Sequence, residues 1–289
     1  MVQKDLTNDP TAVATQVQAA YLAMFPQADT RFVPLAFGWA LDCFCGHYAG
    51  YQAVDTRYHD FEHTLQGTLC MARLLHGRHI AGAQRPLPRR LVELGLLAIL
   101  LHDTGYLKKR DDTKGTGAKY TVTHVQRSAA FAAQLLGQKG SDQHDIIAVQ
   151  NMIRCTGVDA LLSTIPFQDD LERTAGRALG TADLLGQMAA DDYVEKLPIL
   201  YAEFAEAAAF TKDRTHLICL FTSADDLMQK TPIFWEKYVR MKLDREFGGL
   251  HQFLKSPYPD GPNPYLKRIE ANIERVRQAV AAKRQSNSR

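Results

Sequence analysis

A chain of 289 residues, 46% apolar and 23% charged, has the balance of a folded globular protein and is long enough to bury a core without covalent cross-links. A formal charge of +2 gives no electrostatic case for nucleic acid or a membrane surface as partner. Five scattered cysteines (Cys43, Cys45, Cys70, Cys155, Cys219), with no C-x-x-C pair, argue against a disulfide framework and a thiolate metal site.

The opening "MVQKDLTNDP" is polar and lacks the apolar core of a signal peptide, and no apolar run is long enough to span a bilayer. A reduced, cytoplasmic protein is therefore expected. Asp9 and Pro10 then read as N-cap and first residue of a helix over "TAVATQVQAAYLAMF". "RFVPLAFGWALDCFCGHYAGYQAV" is broadly apolar, as an interior segment is. "HDFEHTLQGTLCMARLLHG" has a polar start and an apolar second half, and "RRLVELGLLAILLHD" is apolar on most faces. "KKRDDTKGTGAKYT" is polar and contains glycine, which suggests a mobile active-site loop. "THVQRSAAFAAQLLG" and "DIIAVQNMIRC" are shorter amphipathic helices. The stretch from Asp169 to Phe210 is one long helix or two, with a break expected near Pro198. "SADDLMQ" carries a capping box, Ser223 with Asp226. The four prolines of "SPYPDGPNPY" must end a helix. Beyond them Leu266, Ile269, Ile273, Val276 and Val280 form a two-heptad apolar stripe, either core-facing or a homo-oligomer seam. Strand alternation is hard to find, so the fold class is all-α. The expected organisation is one helical domain over 1–255, then a Pro-rich turn and a C-terminal amphipathic helix over 256–289.

Four features carry chemistry. In "YHDFEH", His59 and His63 lie four residues apart, which on a helix is one face. The apolar run "LGLLAILL" ends in His102 and Asp103, and Asp183 interrupts the apolar segment "LGTADLLGQM". A carboxylate in an interior segment is costly unless something neutralises it, and a divalent cation does so. His124 follows the glycine-containing loop.

The order H…HD…D, over about Tyr58 to Gln187, resembles the HD-domain metal-dependent phosphohydrolase superfamily. The tyrosine-histidine prefix is similar to the catalytic domain of cyclic-nucleotide phosphodiesterases. The resemblance implies an HD-domain (PDEase-like) helical bundle. It implies His63, His102, Asp103 and Asp183 as ligands of one metal ion and His59 as general acid. His124 would join a second ion bridged by Asp103. The chain departs from the pattern at Asp60, where asparagine is usual, and in "HDTGYLK", which lacks a further aspartate-histidine pair. It departs again at Arg154 and Cys155, where two-metal members often carry histidine. His144 is a poor substitute.

Two imidazoles and two carboxylates suit zinc, manganese, iron or nickel, and water on such an ion becomes a nucleophile near neutral pH. Lys108, Arg127 and Arg154 lie close in sequence to the ligand segments. They are candidates to neutralise substrate phosphate, with solvated helix-surface charge as the other reading. Gln187, one turn after Asp183, shares its face. The expected function is hydrolysis of a small-molecule phosphodiester or phosphomonoester, such as a nucleotide. The alternatives are a di-iron oxygenase, which needs a complete second ligand set, and a non-catalytic regulatory relative.

Overall fold

Asp9 caps helix α1 (Pro10–Met24) by accepting from the backbone N–H groups of Thr11 and Ala12, and Val13, Val17, Tyr21 and Met24 form its buried stripe. In the computed structural model, which describes residues 7–157, 160–212 and 217–287, nine further α-helices follow, and no strand forms among those residues. The first six residues of the polar N-terminal segment and the last two of the basic tail lie outside the described residues. Helix α2 (Phe32–Phe44) packs on α1 and leads to the segment before α3 (Phe61–Ile80). Asp60 caps α3 through the His63 N–H at 2.9 Å. Helix α3 is buried on nearly every side and lies against α1, α4 (Arg89–Leu101) and α7 (Asp170–Met188), which makes it the central helix. Helices α5 (His124–Gln138) and α6 (Gln143–Ile153) form a hairpin beside α4.

The α3–α7 contact positions the site, and glycine permits it. A Cβ on Gly186 would stand 2.8 Å from the Gly67 nitrogen, so only hydrogen there lets the two backbones approach this closely.

The break expected near Pro198 falls instead at 189–192, between α7 and α8 (Tyr193–Phe210). Asn272 fixes that turn by donating to the carbonyl oxygens of Met188 (2.9 Å) and Ala190 (2.8 Å). Pro198 sits inside α8 with its ring exposed. Helix α9 (Ala224–Phe234) starts at the expected cap, with Ser223 accepting from the Asp226 N–H. The Asp226 carboxylate reaches back to Thr222 rather than to the cap residue.

Helix α10 (Pro264–Asn287) packs on α9, α7 and α8. Ile269, Ile273 and Val276 are fully buried there, and Leu266 and Val280 pack against the same core. The apolar stripe is thus used inside the chain, and the segment beyond 255 extends the same packed body. The loop 108–121, expected to be mobile, is pinned: Gln52 donates to the carbonyls of Lys109 and Asp112, and Asp55 accepts from the Gly117 N–H. All five cysteines are free, and Cys45 is exposed. No described helix is long and apolar enough to cross a membrane.

Candidate metal centre

His63 enters from the first turn of α3, His102 and Asp103 from the end of α4, and Asp183 from the middle of α7. Three helices thus bring to one point residues up to 120 positions apart. The Nε2 of His63 stands 3.3 Å from Asp103 Oδ2 and 3.4 Å from Asp183 Oδ1, and the Nε2 of His102 is 3.4 Å from each of the same two oxygens. All four residues are buried.

Local structure aims each group. His102 Nδ1 faces the Ile99 carbonyl oxygen at 2.7 Å; a carbonyl only accepts, so Nδ1 carries the proton and Nε2 faces the cluster. Thr104 donates to the Leu101 carbonyl and closes the helix end. The next residue must be glycine, because a Cβ on Gly105 would lie 2.0 Å from the His124 carbonyl oxygen. Gln187 donates to Asp183 Oδ1 at 3.3 Å and accepts from the Tyr58 hydroxyl at 2.9 Å, so it orients one carboxylate.

The chemistry of this donor set fits a divalent cation. His102 Nε2 and Asp103 Oδ2 are fully buried and have no hydrogen-bond partner within the protein. Spacings of 3.3 to 3.4 Å are long for charge-assisted hydrogen bonds. They match the edges, about 3.0 to 3.4 Å, of a donor polyhedron with metal–ligand bonds of ~2.1 Å. His63, His102 and Asp103 also have donor atoms all within 4.8 Å of one another.

Without an ion the two carboxylates act on the imidazoles. Burial pushes His63 down, but Asp103 and Asp183 outweigh it and raise it to about 10. His102 is raised by the same balance. Burial would raise both carboxyls, yet the two imidazoles hold Asp103 and Asp183 well below the usual carboxylate range.

His59 differs from expectation in one respect. Asp60 is the cap, so α3 begins after it and His59 lies before the helix rather than on a shared face. Its ring still comes within 5.4 Å of His63, centroid to centroid. His59 Nδ1 is 2.6 Å from Glu203 Oε2 on α8. Glu203 also accepts from the backbone N–H groups of Arg57 and Tyr58, both at 2.7 Å. An ionised carboxylate only accepts, so Nδ1 carries the proton and Nε2 is left to act. Tyr106 is stacked between His59 (4.5 Å) and His124 (4.8 Å).

Glu203 and Tyr106 were missed in the sequence. Glu203 had a signal: it stands on the 3–4 register of Leu197, Leu200 and Ala207, the inward stripe of α8.

His124 aims its Nε2 at Asp103 Oδ1, 3.9 Å away, while Oδ2 faces the main cluster. It belongs to no group of three close donors among the described residues. His144 lies exposed at the start of α6 beside Asp142 and Asp145, away from this cluster.

The three cations separate. Lys108 is buried against Asp55 (2.8 Å) and the Gly115 carbonyl. Arg127 donates to the carbonyls of Gly105 (2.6 Å) and Leu107 (2.9 Å), with its guanidinium over the Tyr120 ring. Both hold backbone in place and neither lines the cavity described next, which corrects their assignment to phosphate. Arg154 does line it and donates to Asn151 Oδ1.

The cluster opens on a cavity of about 680 Å³, with His59, His63, Asp103, Tyr106, His124 and Asp183 on its wall. A family model described as Npun_R2479-like matches residues 10–253. The chain belongs to this family. The matched span of the Npun_R2479-like family takes in α1 to α9 and every residue of the cluster, and it ends before α10. No curated protein matches the chain.

Proposed function

We propose that the chain is a metal-dependent phosphohydrolase of the HD-domain type, acting on a small-molecule phosphoester. The observation that carries this reading is the meeting of His63, His102, Asp103 and Asp183 at 3.3–3.4 Å, with His63, Asp103 and Asp183 on the wall of a cavity that also presents His59. Those four residues would hold one divalent transition ion, zinc, manganese, iron or nickel. When bound, such an ion supplies Lewis acidity and makes water nucleophilic near neutral pH.

The rest of the work falls to side chains. His59, with Nδ1 held by Glu203, presents Nε2 to the cavity and, when protonated there, gives that proton to the departing ester oxygen. Glu203 orients the ring and opposes its charge. Gln187 keeps Asp183 turned to the cluster, and the Tyr106 ring, stacked on both His59 and His124, fixes where each imidazole lies. A di-iron oxygenase is less well supported, because among the described residues His124 alone lies close to Asp103 Oδ1 as the start of a second donor set.

The test joins elemental analysis of the purified protein to a screen of generic phosphoesters. Near-stoichiometric transition metal and metal-dependent phosphate release are expected, both abolished in Asp103→Ala. His59→Ala should keep its metal and lose roughly 10²–10⁴-fold in turnover, the usual weight of a general acid. Full hydrolysis by Asp103→Ala, or a protein that takes up no transition metal, would overturn the proposal.

A further inference from the structure

The cavity is larger than a phosphate needs, and its walls state what the remainder of a ligand must be. At about 680 Å³ it lies in the range of sites that enclose a drug-sized molecule. Away from the His/Asp cluster the wall is formed by Leu184, Leu197, Leu200, Phe204, Phe221 and Phe234.

Most polar groups on that wall are engaged with the protein itself; the Tyr106 hydroxyl, close to the cluster, has no hydrogen-bond partner among the described residues. The hydroxyls of Thr121, Thr156, Thr164 and Thr231 each donate to a carbonyl three or four residues back in their own turn. Gln187 is held between Tyr58 and Asp183. Arg154 donates to Asn151, Lys230 is paired with Asp226, and Lys242 donates to the Tyr238 hydroxyl. Reading a nucleobase requires hydrogen bonds along its edge. Gln126, next to His124, is the other carboxamide on the lining. A wall of this kind gives its binding energy to carbon.

We infer that the organic part of the substrate is an extended alkyl chain, so that the preferred phosphoester is an amphiphile and not a nucleotide. The phosphate end rests on the phosphohydrolase reading above; the alkyl end rests on the cavity wall alone.

The experiment is calorimetric titration of the purified protein with butyl, hexyl, octyl and decyl phosphate, each below its micelle concentration, and with adenosine 5′-monophosphate. Burial of each added methylene should tighten binding roughly three- to fourfold until the chain fills the cavity. Octyl phosphate should then exceed the nucleotide by at least tenfold. Leu200→Asn and Phe204→Ala change half-buried wall positions, and each should weaken octyl phosphate about tenfold while leaving inorganic phosphate unchanged. A flat chain-length series, a nucleotide that binds more tightly than octyl phosphate, or wall variants without effect would overturn the inference. The wild-type series decides the matter even if neither variant folds. A steep series without hydrolysis of any phosphoester sinks the phosphohydrolase reading alone. Nucleotide hydrolysis with a flat series sinks the alkyl inference alone.

Discussion

Replacing Glu203 perturbs the site without touching any proposed ligand. Its buried carboxylate accepts three hydrogen bonds, from the backbone N–H groups of Arg57 and Tyr58 and from the His59 ring. Glu203→Ala leaves three donors without an acceptor. At ~1–3 kcal/mol for each buried unsatisfied group, the loss is about 3–9 kcal/mol, a large part of the ~5–15 kcal/mol that holds an ordinary domain folded. Glu203→Gln retains one oxygen for the two backbone donors but removes the charge. Hydrogen bonds to a charged group contribute ~1.5–3 kcal/mol against ~0.5–1.5 for neutral pairs, so this variant should lose about 2–3 kcal/mol. The pH dependence separates charge from shape. Burial would raise the Glu203 carboxyl, but His59 and the two backbone donors hold it below the ordinary glutamate range. A depressed carboxyl contributes stability that is complete above its unfolded value, about 4.3, and is lost as pH falls through the folded value. Glutamine has no such contribution. Urea unfolding followed by circular dichroism should therefore show the full gap between wild type and Glu203→Gln at pH 7 and a narrowing gap below about pH 4. A gap that does not change with pH, or Glu203→Ala within ~0.5 kcal/mol of wild type, would refute this reasoning.

Two further outcomes follow from the same geometry. After chelation, His63 holds a proton up to a pH of about 10 and His102 is raised with it, so an entering ion must displace protons. Apparent metal affinity should rise ~10-fold per pH unit for each proton displaced between pH 6.5 and 9, and titrations in buffers of different ionisation enthalpy should register that release; affinity independent of pH would contradict the assignment. Arg127→Met should cost about 2–4 kcal/mol of stability, because the carbonyls of Gly105 and Leu107 lose their donor, yet leave inorganic phosphate binding within twofold of wild type. Loss of phosphate affinity at unchanged stability would return Arg127 to the binding site.

Much of the arrangement was legible because burial makes carboxylates conspicuous. Asp103 ends an apolar run and Asp183 interrupts another, and both converge on His63 and His102. Helical periodicity likewise gave the all-α fold. What periodicity does not carry is direction. Lys108 and Arg127 adjoin the motif in sequence, but their long side chains turn toward backbone carbonyls of the pinned loop. His59 and His63 are four residues apart, but the cap at Asp60 places a helix boundary between them. Asparagine and aspartate cap about equally well, so the departure at Asp60 leaves that boundary unchanged. Glu203 lies about 140 residues from the histidine it holds, and no local pattern reports such a pairing.

The imidazoles differ in how they are aimed, and the difference follows their proposed roles. His102 and His124 each direct Nδ1 at the carbonyl three residues earlier, Ile99 and Thr121, so their orientation arises with the turn that carries them. Both then present Nε2 toward carboxylate oxygens of Asp103. A ligand benefits from such local fixing, because no distant rearrangement can swing it away from the ion. His59 takes its orientation from Glu203, a partner on α8. A proton donor must alternate between charged and neutral forms during each turnover, and a carboxylate partner accommodates both by keeping its bond to Nδ1 while the charge on the ring changes. Helix α8 also supplies Leu197, Leu200 and Phe204 to the cavity wall. Any shift of α8 on ligand entry would therefore move Glu203, and with it the aim of His59, while the locally anchored imidazoles stayed in place.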